Sequence, residues 1–207
     1  MLSVERLGVV LAPKDKEHAK FNAGMVKQGD KVHMLYRWSK STGVWTGEKT
    51  GIRYAEDFVS YAELTPEGKL VSDLDDKTPL YSQDPRIVEF EGEYIIFFVR
   101  WDLDLCKVGM ARTKDFKKVE PIGIIPTIDW DKDAFILPER INGKIVYIHR
   151  IGADIQIDYF DELEDMLDPE YWDHYEDKIH EKVIMKSEYE WENKKIGGSV
   201  PPIKTSE

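Results

Sequence analysis

Three segments of this chain repeat one pattern. FNAGMVKQGDKVHMLYR (21–37), QDPRIVEFEGEYIIFFVR (83–100) and DAFILPERINGKIVYIHR (133–150) each run from a polar start through an apolar strand to a glycine, Gly29, Gly92 or Gly143. A second apolar strand follows and ends in arginine: Arg37, Arg100 and Arg150. Two apolar runs around a turn glycine form a β-hairpin. The arginines are 63 and 50 residues apart, which suits one multi-stranded blade per repeat. Blades arranged about an axis bring equivalent strand ends to a common centre. The pattern therefore predicts a β-propeller whose three arginines converge on one anion-binding cavity.

The rest of the chain is compatible with that frame. With 207 residues, 42% of them hydrophobic, the chain can bury a real core, and six Trp and ten Tyr suit an all-β fold or a carbohydrate site. A net charge of −11 argues against nucleic acid or an anionic membrane as partner, since both are bound by basic fields. Cations that converge inside an acidic protein point instead to a local anion pocket. The one cysteine, Cys106, excludes an internal disulfide and reads as a packed core residue in a reducing, cytoplasmic setting. The N-terminal apolar run is broken by Pro13 and is too short for a signal segment or a membrane span.

Turn signals arrive at strand-like intervals. Residues 1–12 read as a first strand, 21–38 as a hairpin, and 51–63 as a strand entering the turn TPEGK before LVSD. Residues 82–101 and 107–125 make a second unit, and 131–150 open a third. Residues 161–182 differ: Leu163, Met166, Leu167, Tyr171, Trp172 and Tyr175 recur at helical spacing, with Pro169 forcing a break or a new start. This reads as a helical insertion whose apolar stripe faces its own core. Residues 183–190 return to strand, and the chain then reads as loop plus the opening of another strand.

The ordered set FNAG, LYR, QDPRI, KDAFILPERINGKIVYIHR and GGSVPPIKT resembles glycoside hydrolase family 130, the β-mannoside phosphorylases and related β-mannosidases. The resemblance covers residues from about 5 to 207. It implies an all-β, five-bladed β-propeller, of which about four blades are expected here as a single, incomplete catalytic domain, 1–207. An unclosed propeller exposes a sheet edge and invites assembly as a homo-oligomer. The implied reaction is phosphorolysis of a β-mannoside with inversion, giving α-mannose 1-phosphate and a shortened acceptor. Inorganic phosphate is the co-substrate, and no cofactor or metal is expected.

Glycosidic cleavage needs an acid at the leaving oxygen. Asp84, rigidified by Pro85 at a strand start, is a plausible holder, although Asp-Pro alone also marks turns. The resemblance makes Asp84 the sole catalytic carboxylate, acting through the mannose 3-hydroxyl. A phosphate dianion calls for several charge-assisted donors. The resemblance places Arg100, Arg112, Lys132 and His149 near phosphate, with Arg150 beside them. It also places Asn22, Arg37, Arg86, Asp133 and Lys204 around the mannose. Trp101 is a candidate for stacking on a sugar face, with Trp38, Trp45 and Trp130 behind it, and the loop 40–50 is a candidate acceptor subsite.

Other chemistries find no support. His33, His149, His174 and His180 lack zinc-site spacing, and DLDD (73–76) and DWDKD (129–133) lack the full calcium-loop pattern. Phosphate loops, nucleophile elbows and dinucleotide fingerprints are missing from the sequence. Two alternatives stay open: a hydrolytic β-mannosidase of the same family, which the retention of Lys132 and His149 disfavours, and a non-catalytic carbohydrate-binding propeller fragment.

Overall fold

The computed structural model describes residues 6–40, 56–77, 80, 82–102, 105–128 and 130–205. Trp45 and the loop 41–50 lie outside them. The described residues form three four-stranded antiparallel sheets, each a simple meander in chain order. The first holds β1 (His18–Gln28), β2 (Lys31–Lys40), β3 (Glu56–Leu64) and β4 (Leu70–Lys77). The second holds β5 (Gln83–Phe90), β6 (Glu93–Asp102), β7 (Leu105–Thr113) and β8 (Glu120–Ile124). The third holds β9 (Asp131–Ile136), β10 (Ile145–Ile151), β11 (Ile155–Phe160) and β12 (Val183–Met185). Each repeated hairpin is thus the first strand pair of one sheet. Its turn glycine takes the left-handed backbone the turn requires, with φ of 61°, 82° and 80° at Gly29, Gly92 and Gly143.

The chain divides into two compact units, Met1–Gln83 and Asp84–Glu207. In the first, Met34, Tyr36, Ala62 and Leu64 form a small core on the middle strands. In the second, both sheets contribute to one core, with Phe97, Met110, Ile136 and Tyr147 fully buried. β6 is buried from Tyr94 to Val99, as a central strand covered on both faces must be.

The helical insertion forms as expected. Pro169 occupies the first turn of α1 (Pro169–Trp172), and Asp168 caps it by accepting from the Glu170 amide at 2.9 Å. After α2 (Tyr175–Lys182), the chain returns as β12. Met166, Trp172 and Tyr175 are buried against the third sheet, so the stripe does face its own core. Each such side chain adds roughly 1.5–3 kcal/mol of apolar burial.

Two boundaries differ from the sequence expectation. Residues 6–17 form no strand, and the first sheet begins only at His18. At the other end, 183–185 complete the third sheet as its outer strand, and 186–205 form loop and one short 3-10 turn. Three complete sheets are therefore described, and the opening of a further one is not seen among these residues. A run containing Gly197, Gly198, Pro201 and Pro202 has few amides and side chains suited to a ladder.

Candidate active site

Asp84 is half-buried at the start of β5 with φ +52°, a left-handed backbone that Asp tolerates better than most residues. Pro85, buried behind it, fixes the next turn of chain. Arg86 then forms the hub of a rigid network. Its Nη2 donates to Asp133 Oδ1 at 2.8 Å and to the Gly198 carbonyl at 2.9 Å, and its Nε donates to the Ser199 carbonyl at 2.8 Å. Asp133 turns its other oxygen to Arg150 Nε at 2.7 Å, and Arg150 Nη1 donates to the Gly152 carbonyl at 2.7 Å. One carboxylate is thus gripped by two guanidinium groups, both with side chains no more than 12% exposed.

Asp133 also has a left-handed backbone, φ +55°, where the β9–β10 register shifts at a bulge. Asn22, exposed on β1, is a third case at φ +48°, again at a register shift between Phe21 and Gly24. Each first strand of a sheet therefore carries one left-handed Asx residue near its start. The glycines of GGSV serve this arrangement directly. A Cβ on Gly197 would meet Asp133 Oδ2 at 2.9 Å, and one on Gly198 would meet the Asp133 carbonyl at 3.1 Å and Phe135 Cε1 at 3.2 Å. The carbonyls of Gly198 and Ser199 were not named from sequence as site groups. The GGSV motif was the signal that could have found them.

In the first unit, Arg37 makes a two-pronged pair with Asp57, Nε to Oδ1 at 2.9 Å and Nη2 to Oδ2 at 3.0 Å, and stacks on Phe21 at 4.8 Å. Gln83 Nε2 donates to the same Asp57 at 2.5 Å. Trp38 packs on His18 and Phe58, with ring centroids at 4.7 and 5.6 Å. The three repeat arginines do share a place, the second strand of each sheet. Their environments differ: Arg37 and Arg150 are clamped by carboxylates, while Arg100 is exposed opposite Lys107.

Lys132 lies directly across the ladder from Arg150, and its ammonium sits over Trp101 at 4.5 Å and Trp130 at 5.1 Å. Arg100, adjacent to Trp101 on β6, is at the same end of the unit.

Three expected site residues are placed elsewhere. His149 is fully buried, with Nδ1 3.1 Å from both oxygens of Asp131 and Nε2 3.0 Å from Asp158 Oδ2. Asp158 also accepts from Tyr171 and Tyr175, each at 2.5 Å, and pairs with Lys182 at 3.0 Å. With both ring nitrogens engaged inside the core, His149 cannot also hold phosphate. It ties β9, β10, β11 and α2 together. Burial alone would lower its pKa, but the two carboxylates outweigh that and raise it to about 9. Burial likewise works against ionised Asp158, yet the hydrogen bonds from His149, Tyr171 and Tyr175 leave its pKa lowered.

Arg112 is the second. It pairs with Glu164 at 2.7 Å and lies 4.0 Å from Glu93. Arg100 is opposite Lys107, five positions from Arg112 along β7, so the two arginines are separated by roughly 17 Å of strand. The third is Lys204, whose ammonium is taken by Glu139 in the β9–β10 connection, beyond the far end of β9 from Asp133. Cys106, by contrast, is the buried core residue expected, its thiol pushed up to about 11 by burial.

With this geometry in hand, comparison with known proteins is decisive on the family. The profile of the glycoside hydrolase 130 family, described as β-1,4-mannooligosaccharide phosphorylase, matches residues 4–207. The chain belongs to glycoside hydrolase family 130. It is 27% identical to a 1,2-β-oligomannan phosphorylase of Thermoanaerobacter sp. strain X514, over 100% of this chain and 70% of that protein. It is 29% identical to a β-1,2-mannobiose phosphorylase of the same organism, over 91% of this chain and 64% of the relative. Among solved structures, the Listeria innocua β-1,2-mannobiose phosphorylase in complex with β-1,2-mannobiose superposes with a TM-score of 0.58 at 19% identity. That match covers 74% of this chain and 59% of the other. A further family 130 structure, from work on hydrolases that target β-1,2-mannosidic linkages in Candida mannan, gives a TM-score of 0.60 at 17% identity, over 74% and 54% of the two chains. The fold is thus the five-bladed propeller fold of family 130, of which this chain holds about three to four blades. No helix among the described residues is long and apolar enough to cross a membrane.

Proposed function

We propose that this chain carries the proton-donating and mannose-holding part of a β-mannoside phosphorylase. The observation that carries the reading is the clamp Arg86–Asp133–Arg150, fixed two residues from a backbone-strained Asp84. Strained polar residues gather where a side chain must be aimed rather than merely accommodated. In this reading Asp84 gives its proton, by way of the mannose 3-hydroxyl, to the leaving glycosidic oxygen. A phosphate oxygen attacks the anomeric carbon from the opposite face as the carbon–oxygen bond to the acceptor breaks. The products are α-mannose 1-phosphate and an acceptor shortened by one unit. Asp133, held by two arginines, accepts from sugar hydroxyls, and Arg86 and Arg150 fix its direction.

Lys132 and Arg100 are the cations that remain for phosphate once His149 and Arg112 are assigned to their own carboxylates. Asn22 and Arg37 are assigned to the mannose by their motifs, FNAG and LYR. The names of the two curated relatives support a β-1,2 linkage as the first to test. The buried, unpaired Cys106 supports a cytoplasmic setting, and we read the two units as parts of one propeller domain.

The test is direct. The chain is incubated with β-1,2-mannobiose with and without inorganic phosphate, and mannose 1-phosphate and free mannose are quantified. Mannose 1-phosphate formed only with phosphate is the expected result. Free mannose released at an equal rate without phosphate would replace this reading with the hydrolytic one.

A further inference from the structure

One aromatic feature of the second unit is not used by the chemistry above. Trp101, at the end of β6, and Trp130, just before β9, meet edge to face at 5.1 Å with an interplanar angle of 89°. Both are exposed, by 37% and 50%, so each ring keeps open surface. The Lys132 ammonium lies 4.5 and 5.1 Å from the two ring centroids and holds the corner together from one side by cation–π attraction. Trp130 also has φ +69°. For a bulky aromatic residue this is an outlying backbone conformation, and it persists only where the surroundings impose it. The residue that follows, Asp131, is buried and bonded to His149, and Asp133 stands in the clamp, so the chain on this side of Trp130 is anchored.

We propose that Trp101 and Trp130 form a binding corner for a further mannosyl unit of the oligosaccharide, next to the one held at Asp133. This rests on the phosphorylase reading for its choice of sugar. The chemistry fits a β-mannopyranoside. In its chair form, hydrogens 1, 3 and 5 are axial on one face and make a flat apolar patch that an indole can cover. The axial 2-hydroxyl projects from the opposite face, away from the indole that covers this patch. Two indoles at right angles would enclose a ring face and one edge, which selects orientation as well as area. The corner adjoins the clamp, because Lys132 lies directly across the ladder from Arg150, whose guanidinium holds Asp133.

Calorimetric titration of the chain with β-1,2-mannotriose, in the absence of phosphate, tests the corner without requiring turnover. Trp130→Ala is expected to weaken binding by at least about tenfold, Trp130→Phe to keep most of it, and circular dichroism to be unchanged. The KM for phosphate, measured on any active form, should stay within about twofold of the parent in Trp130→Ala. Unchanged mannotriose affinity in both Trp130→Ala and Trp101→Ala would overturn the proposal. So would an effect confined to the phosphate KM, which would mean that the indoles act only to place Lys132. If the parent binds mannotriose through these residues yet forms no mannose 1-phosphate, the corner stands and the phosphorylase reading falls.

Discussion

Raising the pH from 6.5 toward 9 should destabilise the second unit through His149. This imidazole is fully buried, and its pKa in the folded chain is about 9 against an ordinary value of 6.5. A group whose folded pKa is raised contributes stability that is fully present below its unfolded pKa and is lost as pH rises through the folded one. The interval corresponds to about 3 kcal/mol, a large share of what holds a domain of this size. Asp158 works in the opposite sense: its lowered pKa contributes stability above its ordinary value of 3.8, and that contribution is lost as pH falls through the folded value. The network is therefore strongest between about pH 4 and 6.5. Urea unfolding across pH 5–10, followed by tryptophan fluorescence, suits the test because Trp172 lies 5.7 Å from His149. His149→Gln should lose about 3–5 kcal/mol at pH 6, since it leaves Asp131 and Asp158 buried without their shared cation. It should also lose the decline between pH 6.5 and 9 that the parent shows. If parent and variant decline in parallel over that range, His149 is not the charged group that binds these strands together.

Three further outcomes follow from the site and the core. Asp84→Asn should reduce turnover to no more than a few per cent of an active parent while leaving the fold and phosphate binding intact, because only the proton is removed; kcat with β-1,2-mannobiose and phosphate checks it. Lys132→Ala should raise the phosphate KM by roughly 10- to 150-fold, the loss of one charge-assisted contact, while any slow hydrolysis of the same sugar survives. Gly109→Ala places a Cβ 2.2 Å from Phe98 Cε2 and 2.9 Å from Ile124 Cδ1, so it should lower stability by about 1–3 kcal/mol in denaturant unfolding; an unchanged midpoint would show that Phe98 can turn aside freely.

The hairpins were legible because two local signals, apolar alternation and a turn glycine, lie within one short stretch of chain. The partners of charged residues were not, because they arrive from other strands. His149 stands beside Arg150 in the sequence; strand alternation sends the two side chains to opposite faces of β10, but nothing local says which of those faces is core. One enters a core holding Asp131, Asp158 and Tyr175, and the other meets Asp133. Arg112 shows the same limit: its spacing within the repeat is visible in the sequence, but its partner Glu164 belongs to the helical insertion. Among the described residues, 6–12 and 190–205 form no strand, since apolar content alone does not supply a neighbouring ladder to join. Asp84, Arg86 and Asp133 are singled out by a motif rather than by a pattern of charge, and the structure joins Arg86 to Asp133 in one ion pair.

The repeat also carries information finer than strands and turns. Asn22, Asp84 and Asp133 are spaced by 62 and 49 residues, against 63 and 50 for the arginines, and each has a positive φ on the first strand of its sheet. A left-handed non-glycine residue costs of order 1–3 kcal/mol, so three at matching places are hard to ascribe to chance packing. Glycine would remove the strain but would leave no side chain there, whereas Asn and Asp tolerate the conformation and retain a hydrogen-bonding group. At Asn22 and Asp133 the residue sits where the ladder register shifts, and a bulge re-aims a side chain that a regular strand would hold in strict alternation between the two faces. What is repeated, then, is a device for presenting a polar group at the start of each blade. The group presented differs between the sheets: an amide in the first, a carboxyl beside proline in the second, and a carboxylate fixed by two arginines in the third.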